Sequence, residues 1–185
     1  MMRVIVILFF FIISCKPNKE VLTYETNHSN EDVIIWINNE LNNVWALSLP
    51  SEFNLTNQSN KAYYFTKYKY LYSSPFKGKH PTLYKLERNN TKEKISISEF
   101  NLIPPGVTNK YILYSHHILD STSQLSKSLK KYIPPNNTSN KIEVHNLKSH
   151  VTNNSNFTIL DSLKINIINS NKNEYRKPII IPLKY

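Results

Sequence analysis

The stretch AYYFTKYKYLY, residues 62 to 72, decides the predicted fold. Tyrosine and phenylalanine are enriched in β-strands, and residues two apart lie on the same face of a strand. The stretch is therefore predicted to form one long strand. One face would carry Tyr64, Thr66, Tyr68, Tyr70 and Tyr72, and the other Tyr63, Phe65, Lys67, Lys69 and Leu71.

The predicted tyrosine face is also the best candidate for a binding surface. Tyrosine rings stack on sugars or unpaired bases, and neighbouring lysines attract phosphates or acidic sugars. The alternative is that the tyrosines occupy a half-buried strand face and the lysines only face solvent. The candidate ligand platform comprises Tyr64, Lys67, Tyr68, Lys69, Tyr70 and Tyr72.

Shorter strands and turns follow along the chain. Turn signals include Pro104, Pro105 and Gly106, and the polar residues 54 to 60 and 169 to 173 are expected to form a loop and a hairpin turn. Alternating or continuous apolar patterns predict strands at 82 to 86, 94 to 100, 110 to 118, 141 to 147, 163 to 167 and 179 to 183.

Two segments have the spacing of amphipathic helices. In residues 30 to 44, Val33, Trp36, Ile37 and Leu41 recur at helical spacing after a possible cap at Ser29 or Asn30. In residues 120 to 132 the apolar stripe ends before two prolines, which stop a helix. The predicted fold class is α+β, a mostly antiparallel β-sheet with one or two helices packed on it.

Composition excludes several kinds of site. Gly78 and Gly106 are the only glycines, and loops that cradle phosphates need glycine where the backbone approaches the ligand. We therefore expect no nucleotide or other cofactor. The net charge is +10, yet lysine, asparagine, isoleucine and tyrosine are all abundant, as in proteins from AT-rich genomes. The charge reflects either codon preference or an anionic ligand, and nucleic acid is not favoured.

The histidines form the only tempting catalytic or metal-binding group. His116 and His117 lie near Asp120, with His145 and His150 further along the chain. Adjacent residues of a strand point to opposite faces, so His116 and His117 do not ligate one metal without a bend. No recognised catalytic spacing surrounds them. We expect no metal site and no enzyme activity.

The first 15 residues predict an export signal. Arg3 precedes about ten apolar residues and Ser14, which is the layout of a secretory signal peptide and too short to span a bilayer. The sequence Ile12-Ile13-Ser14-Cys15 resembles the lipobox of bacterial lipoproteins. The alternatives are an ordinary secretory signal or a buried N-terminal strand.

The resemblance implies cleavage between Ser14 and Cys15 and acylation of Cys15. It implies a signal peptide at 1 to 14 and a lipidated N-terminus at Cys15. The polar, aperiodic residues up to 29 predict a tether, and the remaining length, 30 to 185, is that of a single globular domain. Cys15 is the only cysteine, so no disulfide is expected. Lys16 stands where some bacteria place the aspartate that retains lipoproteins in the inner membrane, which favours the outer membrane of the cell envelope.

Three functions remain open. The first is a membrane-anchored envelope lipoprotein that binds an envelope protein or an anionic polymer. The second is an inhibitor or immunity-type lipoprotein that blocks an acidic protein through a salt-sensitive interface. The third is a hydrolase of envelope polymers that uses His116 or His117.

Overall fold

The computed structural model describes residues 21–73, 78, 81–97, 99–152, 161–170 and 175–185. The predicted signal peptide, its cleavage after Ser14 and the lipidation of Cys15 lie outside the described residues. Three antiparallel sheets dominate the described part, so the prediction of a mostly antiparallel β fold is confirmed. The α+β label fits only loosely, because the α-helices described have six residues each.

Thirteen strands are described, here numbered in chain order: β1 (Leu22–Asn27), β2 (Val33–Asn38), β3 (Asn43–Ser48), β4 (Pro50–Asn57), β5 (Tyr63–Leu71), β6 (Thr82–Leu86), β7 (Lys92–Lys94), β8 (Asn101–Ile103), β9 (Thr108–Tyr114), β10 (His117–Ile118), β11 (Lys141–Val144), β12 (Ser162–Asn169) and β13 (Ile179–Pro182). The first sheet has the order β1-β4-β9-β6-β7, the second β10-β3-β2-β11 and the third β13-β12-β5-β8.

The first and third sheets share one hydrophobic core. Phe53 of β4 and Tyr111 of β9 stack with ring centroids 5.2 Å apart, and Phe65 of β5 meets Tyr111 edge-on. Leu163, Ile165 and Ile167 of β12 bury the same side of the third sheet, as their alternation predicted. These two sheets therefore position β5 and β12, the strands that carry the candidate site.

A second core lies between the second sheet and the helices α1 (Gln124–Leu129) and α2 (Leu147–Thr152). Leu125 and Leu129 of α1 pack against Val33 and Ile35 in this core. The predicted helix at 120 to 132 is thus present in shorter form, followed by the 3-10 turn Lys130–Tyr132. Tyr185 packs against both cores.

The predicted helix at 30 to 44 is wrong. These residues form the hairpin of β2 and β3, with Ile35 paired to Leu47. The run Val33-Ile34-Ile35-Trp36-Ile37 is β-branched and aromatic, and such residues favour strands. Asn42 has a φ of 43°, a left-handed conformation that asparagine adopts more readily than most residues, and it closes the turn.

Two segments predicted to be irregular form paired strands. Residues 22 to 27, assigned to the tether, form β1, and all six pair with β4. The predicted polar loop at 54 to 60 is a strand as far as Asn57. Phe53, Leu55 and Asn57 alternate inward, and the buried Asn57 amide donates to the carbonyl oxygens of Lys61 and Ile103. The folded part of the chain therefore includes Leu22.

The other strand predictions have mixed outcomes. The strands predicted at 62 to 72, 82 to 86, 163 to 167 and 179 to 183 are confirmed, and β12 pairs with β13 as the hairpin required. The strand predicted at 141 to 147 ends at Val144, and that at 110 to 118 breaks after Tyr114. Of the strand predicted at 94 to 100, only Lys94 lies in a strand, as the last residue of β7; Ile95 is part of the first core, and residue 98 lies outside the described residues. Within the described residues, no helix has the length and apolar character to cross a membrane.

Candidate functional site

A β-bulge in β5 divides the predicted tyrosine face. Lys67 pairs with Asn166 and Phe65 with Ile167, so Thr66 has no partner across the ladder. A bulge inserts one extra residue and shifts the alternation of side chains. As a result Tyr64 lies on the outer face of the third sheet, whereas Tyr68 and Tyr70 point into the core.

The prediction that Tyr64, Tyr68, Tyr70 and Tyr72 share one face is therefore wrong for Tyr64. Tyr64 instead meets Phe100 edge-on, with ring centroids 6.2 Å apart. Tyr68 and Tyr70 are buried, and Tyr72 is only partly exposed. The four rings do not form the flat exposed platform that base or sugar stacking needs.

The structure instead forms a groove along the free edge of β5. β8 pairs with β5 only at Tyr63–Phe65, so beyond Phe65 this edge faces two adjoining clefts of about 760 and 750 Å³. The clefts share Lys67, Tyr68, Pro81 and Ile97. We call them together the lysine groove. Four of its lining residues are the lysines Lys67, Lys69, Lys94 and Lys164.

The positive charge of the lysine groove is not neutralised within the described part of the chain. Lys85 and Lys110 each pair with a glutamate at 2.8 Å, but no such ion pair involves the four groove lysines. No aspartate or glutamate is among the described lining residues. The groove therefore presents several positive charges to an incoming anion.

Two of these lysines oppose each other directly. Lys69 of β5 is the cross-strand partner of Lys164 of β12. Like charges at directly opposite positions destabilise a sheet, by up to about 1 kcal/mol. An anionic group bound between the two ammonium groups would relieve this repulsion.

A buried polar network lies beneath one end of the groove, around Asp161, whose side chain is 1% exposed. Its carboxylate accepts hydrogen bonds from the Tyr70 hydroxyl at 2.5 Å and from the Ser73 amide and hydroxyl at 2.5 and 2.9 Å. The hydroxyls of Tyr70 and Tyr185 are also hydrogen-bonded to each other. The network ties β5 to the C-terminal residue.

The tyrosines around this network remain neutral hydroxyl donors. Burial, and then the neighbouring Tyr185 and Asp161, raise the pKa of Tyr70 far above its usual value. Burial, with a smaller contribution from Asp161, raises the pKa of Tyr72 to about 12. The Tyr70 hydroxyl therefore holds the Asp161 carboxylate, whereas the Tyr72 hydroxyl donates to the backbone carbonyl of His116 at 3.1 Å. Neither is an acid–base group near neutral pH.

The predicted histidine group is not assembled into one site. His116 points to the tryptophans of the second sheet, with ring centroids 5.3 Å from Trp36 and 5.6 Å from Trp45. His117 points the other way, and its Nε2 is 2.7 Å from the Ser115 hydroxyl. Both histidines are buried.

The remaining members lie elsewhere. Asp120 is exposed and accepts hydrogen bonds from Thr122, and His145 pairs with Asp32 at 2.7 Å. The side chain of His150 lies outside the described residues. In the part of the chain that the structure describes, no group of three or more His, Cys, Asp and Glu residues could hold a metal ion.

We predict that His117 makes the fold sensitive to acid. Burial, the largest cause, lowers the pKa of His117 to about 4, so between about pH 6.5 and 4 the unfolded chain binds the extra proton. The stabilisation that depends on a neutral His117 in the folded protein is fully present above pH 6.5 and is lost as the pH falls towards 4. Urea unfolding should show the stability of the wild type relative to His117→Gln falling by about 3 kcal/mol between pH 7 and pH 4. Parallel pH profiles for the two proteins would contradict this.

Sequence reasoning found Lys67 and Lys69 but missed Lys94, Lys164 and Asp161. Only the register of β5 against β12 places Lys164 opposite Lys69, and no short-range signal contains that register.

Comparisons with protein-family models, with curated proteins and with solved structures give no significant match to this chain.

Proposed function

We propose that this protein is a lipid-anchored lipoprotein of the bacterial cell envelope whose β-rich domain binds an anionic partner through the lysine groove. One observation carries the proposal. Four lysines from β5, β7 and β12 converge on one groove that has no carboxylate among its described lining residues. Such a concentration of unpaired charge attracts an oppositely charged ligand and speeds its association.

The anchor in this proposal is Cys15, in the segment that resembles a lipobox. Several acyl chains, as lipoproteins of many bacteria carry, give stable membrane attachment. Only six residues separate Cys15 from Leu22, where β1 begins. A fully extended chain of this length spans at most about 25 Å, so the domain would be held close to the outer membrane.

The two alternative functions are supported unequally. An inhibitor or immunity-type lipoprotein would use the same groove, with an acidic protein as its target. The hydrolase hypothesis has less support, because His116 and His117 are both buried in packed aromatic surroundings. Neither ring lines the lysine groove.

Lys164→Glu provides a sharp test of the binding function. The new glutamate would face Lys69, so the variant should be as stable as the wild type or slightly more stable. It should nevertheless capture several-fold less partner when tagged, full-length protein is recovered from mildly cross-linked membranes. Lost capture could then not be assigned to unfolding.

Lys141→Glu is the matched control. Lys141 is an exposed strand lysine of β11 that does not line the groove, and its reversal changes the net charge equally. Capture by this variant should equal that of the wild type. The proposal is wrong if Lys164→Glu captures as much partner as Lys141→Glu does. It is also wrong if neither the wild type nor Lys141→Glu captures a partner protein or an anionic polymer.

A further inference from the structure

We propose that the lysine groove receives an extended acidic segment of a partner protein, which adds as a strand to the free edge of β5 from Thr66 to Leu71. This inference rests on the proposed function and names the class of ligand. It depends on three features of the described structure: the backbone of the edge, the placement of the lysines and the burial of the tyrosines.

The edge of β5 is open where it meets the groove. On one side β12 pairs with β5 along the whole strand, whereas on the other side β8 stops at Phe65. Beyond that point, in the described part of the chain, no strand covers this edge. A row of backbone N–H and C=O groups at a sheet edge is a template for an added strand.

The lysines give this edge a charge preference. Lys67 and Lys69 are exposed on the outer face of the third sheet, two residues apart, and Lys164 lies beside Lys69. An added strand has side chains of the same spacing, so carboxylates at every second position would meet Lys67 and Lys69. Lysines on an edge also discourage pairing between two copies of one chain, which leaves the edge to a partner of opposite charge.

The opposite side of the groove accepts small apolar side chains. Ile97 is 43% exposed and lines both clefts beside Pro81 and the buried ring of Tyr68. The intervening side chains of an added strand would point towards this surface. The preferred segment therefore alternates glutamate or aspartate with residues such as valine or threonine.

A polypeptide fits these features better than an anionic polysaccharide does. A sugar chain has no repeating N–H and C=O pattern to match a strand edge. Carbohydrate sites also present exposed aromatic rings, and Tyr68 and Tyr70 are 9% and 5% exposed. An anionic polymer is therefore the competing outcome of the test.

The test uses full-length protein in nanodiscs and a short fluorescent peptide in which glutamate alternates with valine. Two further peptides are N-methylated at the odd or at the even amides, because a methyl group removes the donor from one edge of the added strand. We expect the parent peptide to bind with a Kd of about 10–100 μM at low salt. One N-methylated peptide should bind at least about tenfold more weakly and the other within about threefold of the parent.

The results separate the two proposals. If both N-methylated peptides bind like the parent, the edge is not used and the strand-addition inference is overturned. If the parent peptide does not bind below about 1 mM, the inference is also overturned. In either case, if Lys164→Glu still lowers the amount of partner captured from membranes, the lysine groove remains a binding site for a different anion. If Lys164→Glu does not change capture, the proposed function itself fails.

Discussion

Asp161→Ala is expected to lower the free energy of unfolding by about 3 kcal/mol. The substitution removes the acceptor of three hydrogen bonds: the one from the buried Tyr70 hydroxyl and the two from Ser73, an exposed residue just after the end of β5. Chemical denaturation with urea, followed by tryptophan fluorescence, measures the change.

Asp120→Ala and Asp161→Asn are the controls. Asp120 is exposed and its side chain accepts hydrogen bonds from Thr122 in the turn before α1, so its removal should cost much less than that of Asp161. Asp161→Asn keeps an oxygen that can accept from Ser73, and its effect should lie between the two. Equal effects of Asp161→Ala and Asp120→Ala would contradict a stabilising role of the Asp161 network.

Cys15→Ala is expected to abolish lipid labelling completely. The thiol of Cys15 is the group that would be acylated, and Cys15 is the only cysteine in the chain. Metabolic labelling with an alkyne fatty acid, followed by gel electrophoresis, should show a labelled mature wild type and an unlabelled, uncleaved variant.

Ser14→Ala is the control for the cleavage site. Alanine keeps the residue before Cys15 small, so this variant should be cleaved and labelled like the wild type. Labelling that survives Cys15→Ala would contradict lipidation at this residue. Cleavage without labelling of the wild type would indicate an ordinary secretory signal.

The strands with clear alternation could be predicted from the sequence. β5 and β12 have apolar or aromatic residues at strand spacing, and the two prolines after Ile133 limit the helical segment before them. Residues 30 to 44 contain two conflicting patterns. Val33, Ile35 and Ile37 have the spacing of a strand, whereas Val33, Trp36 and Ile37 have the spacing of a helix. β-branched side chains and a turn at Asn42 decided in favour of the hairpin.

The candidate site was predictable only in part. Lys67 and Lys69 are visible as neighbours of the tyrosines, but the bulge at Thr66 is a property of the pairing with β12 and has no local signature. Lys94, Asp161 and Lys164 join the site from distant parts of the chain. Sites built from such long-range contacts require the strand order and register, which a single sequence does not contain.

Photo-cross-linking from Ile97 tests the central claim, binding through the lysine groove, most directly. Replacement of Ile97 by a photoreactive phenylalanine keeps all four groove lysines. The control has the same photoreactive residue at position 41 in the β2–β3 turn, because Leu41 is 67% exposed and lies outside the groove. Irradiation of membranes that contain the full-length protein should yield one discrete protein adduct from position 97, and Lys164→Glu should weaken it. Equal adduct patterns from positions 97 and 41, or an adduct that Lys164→Glu leaves unchanged, would contradict the account.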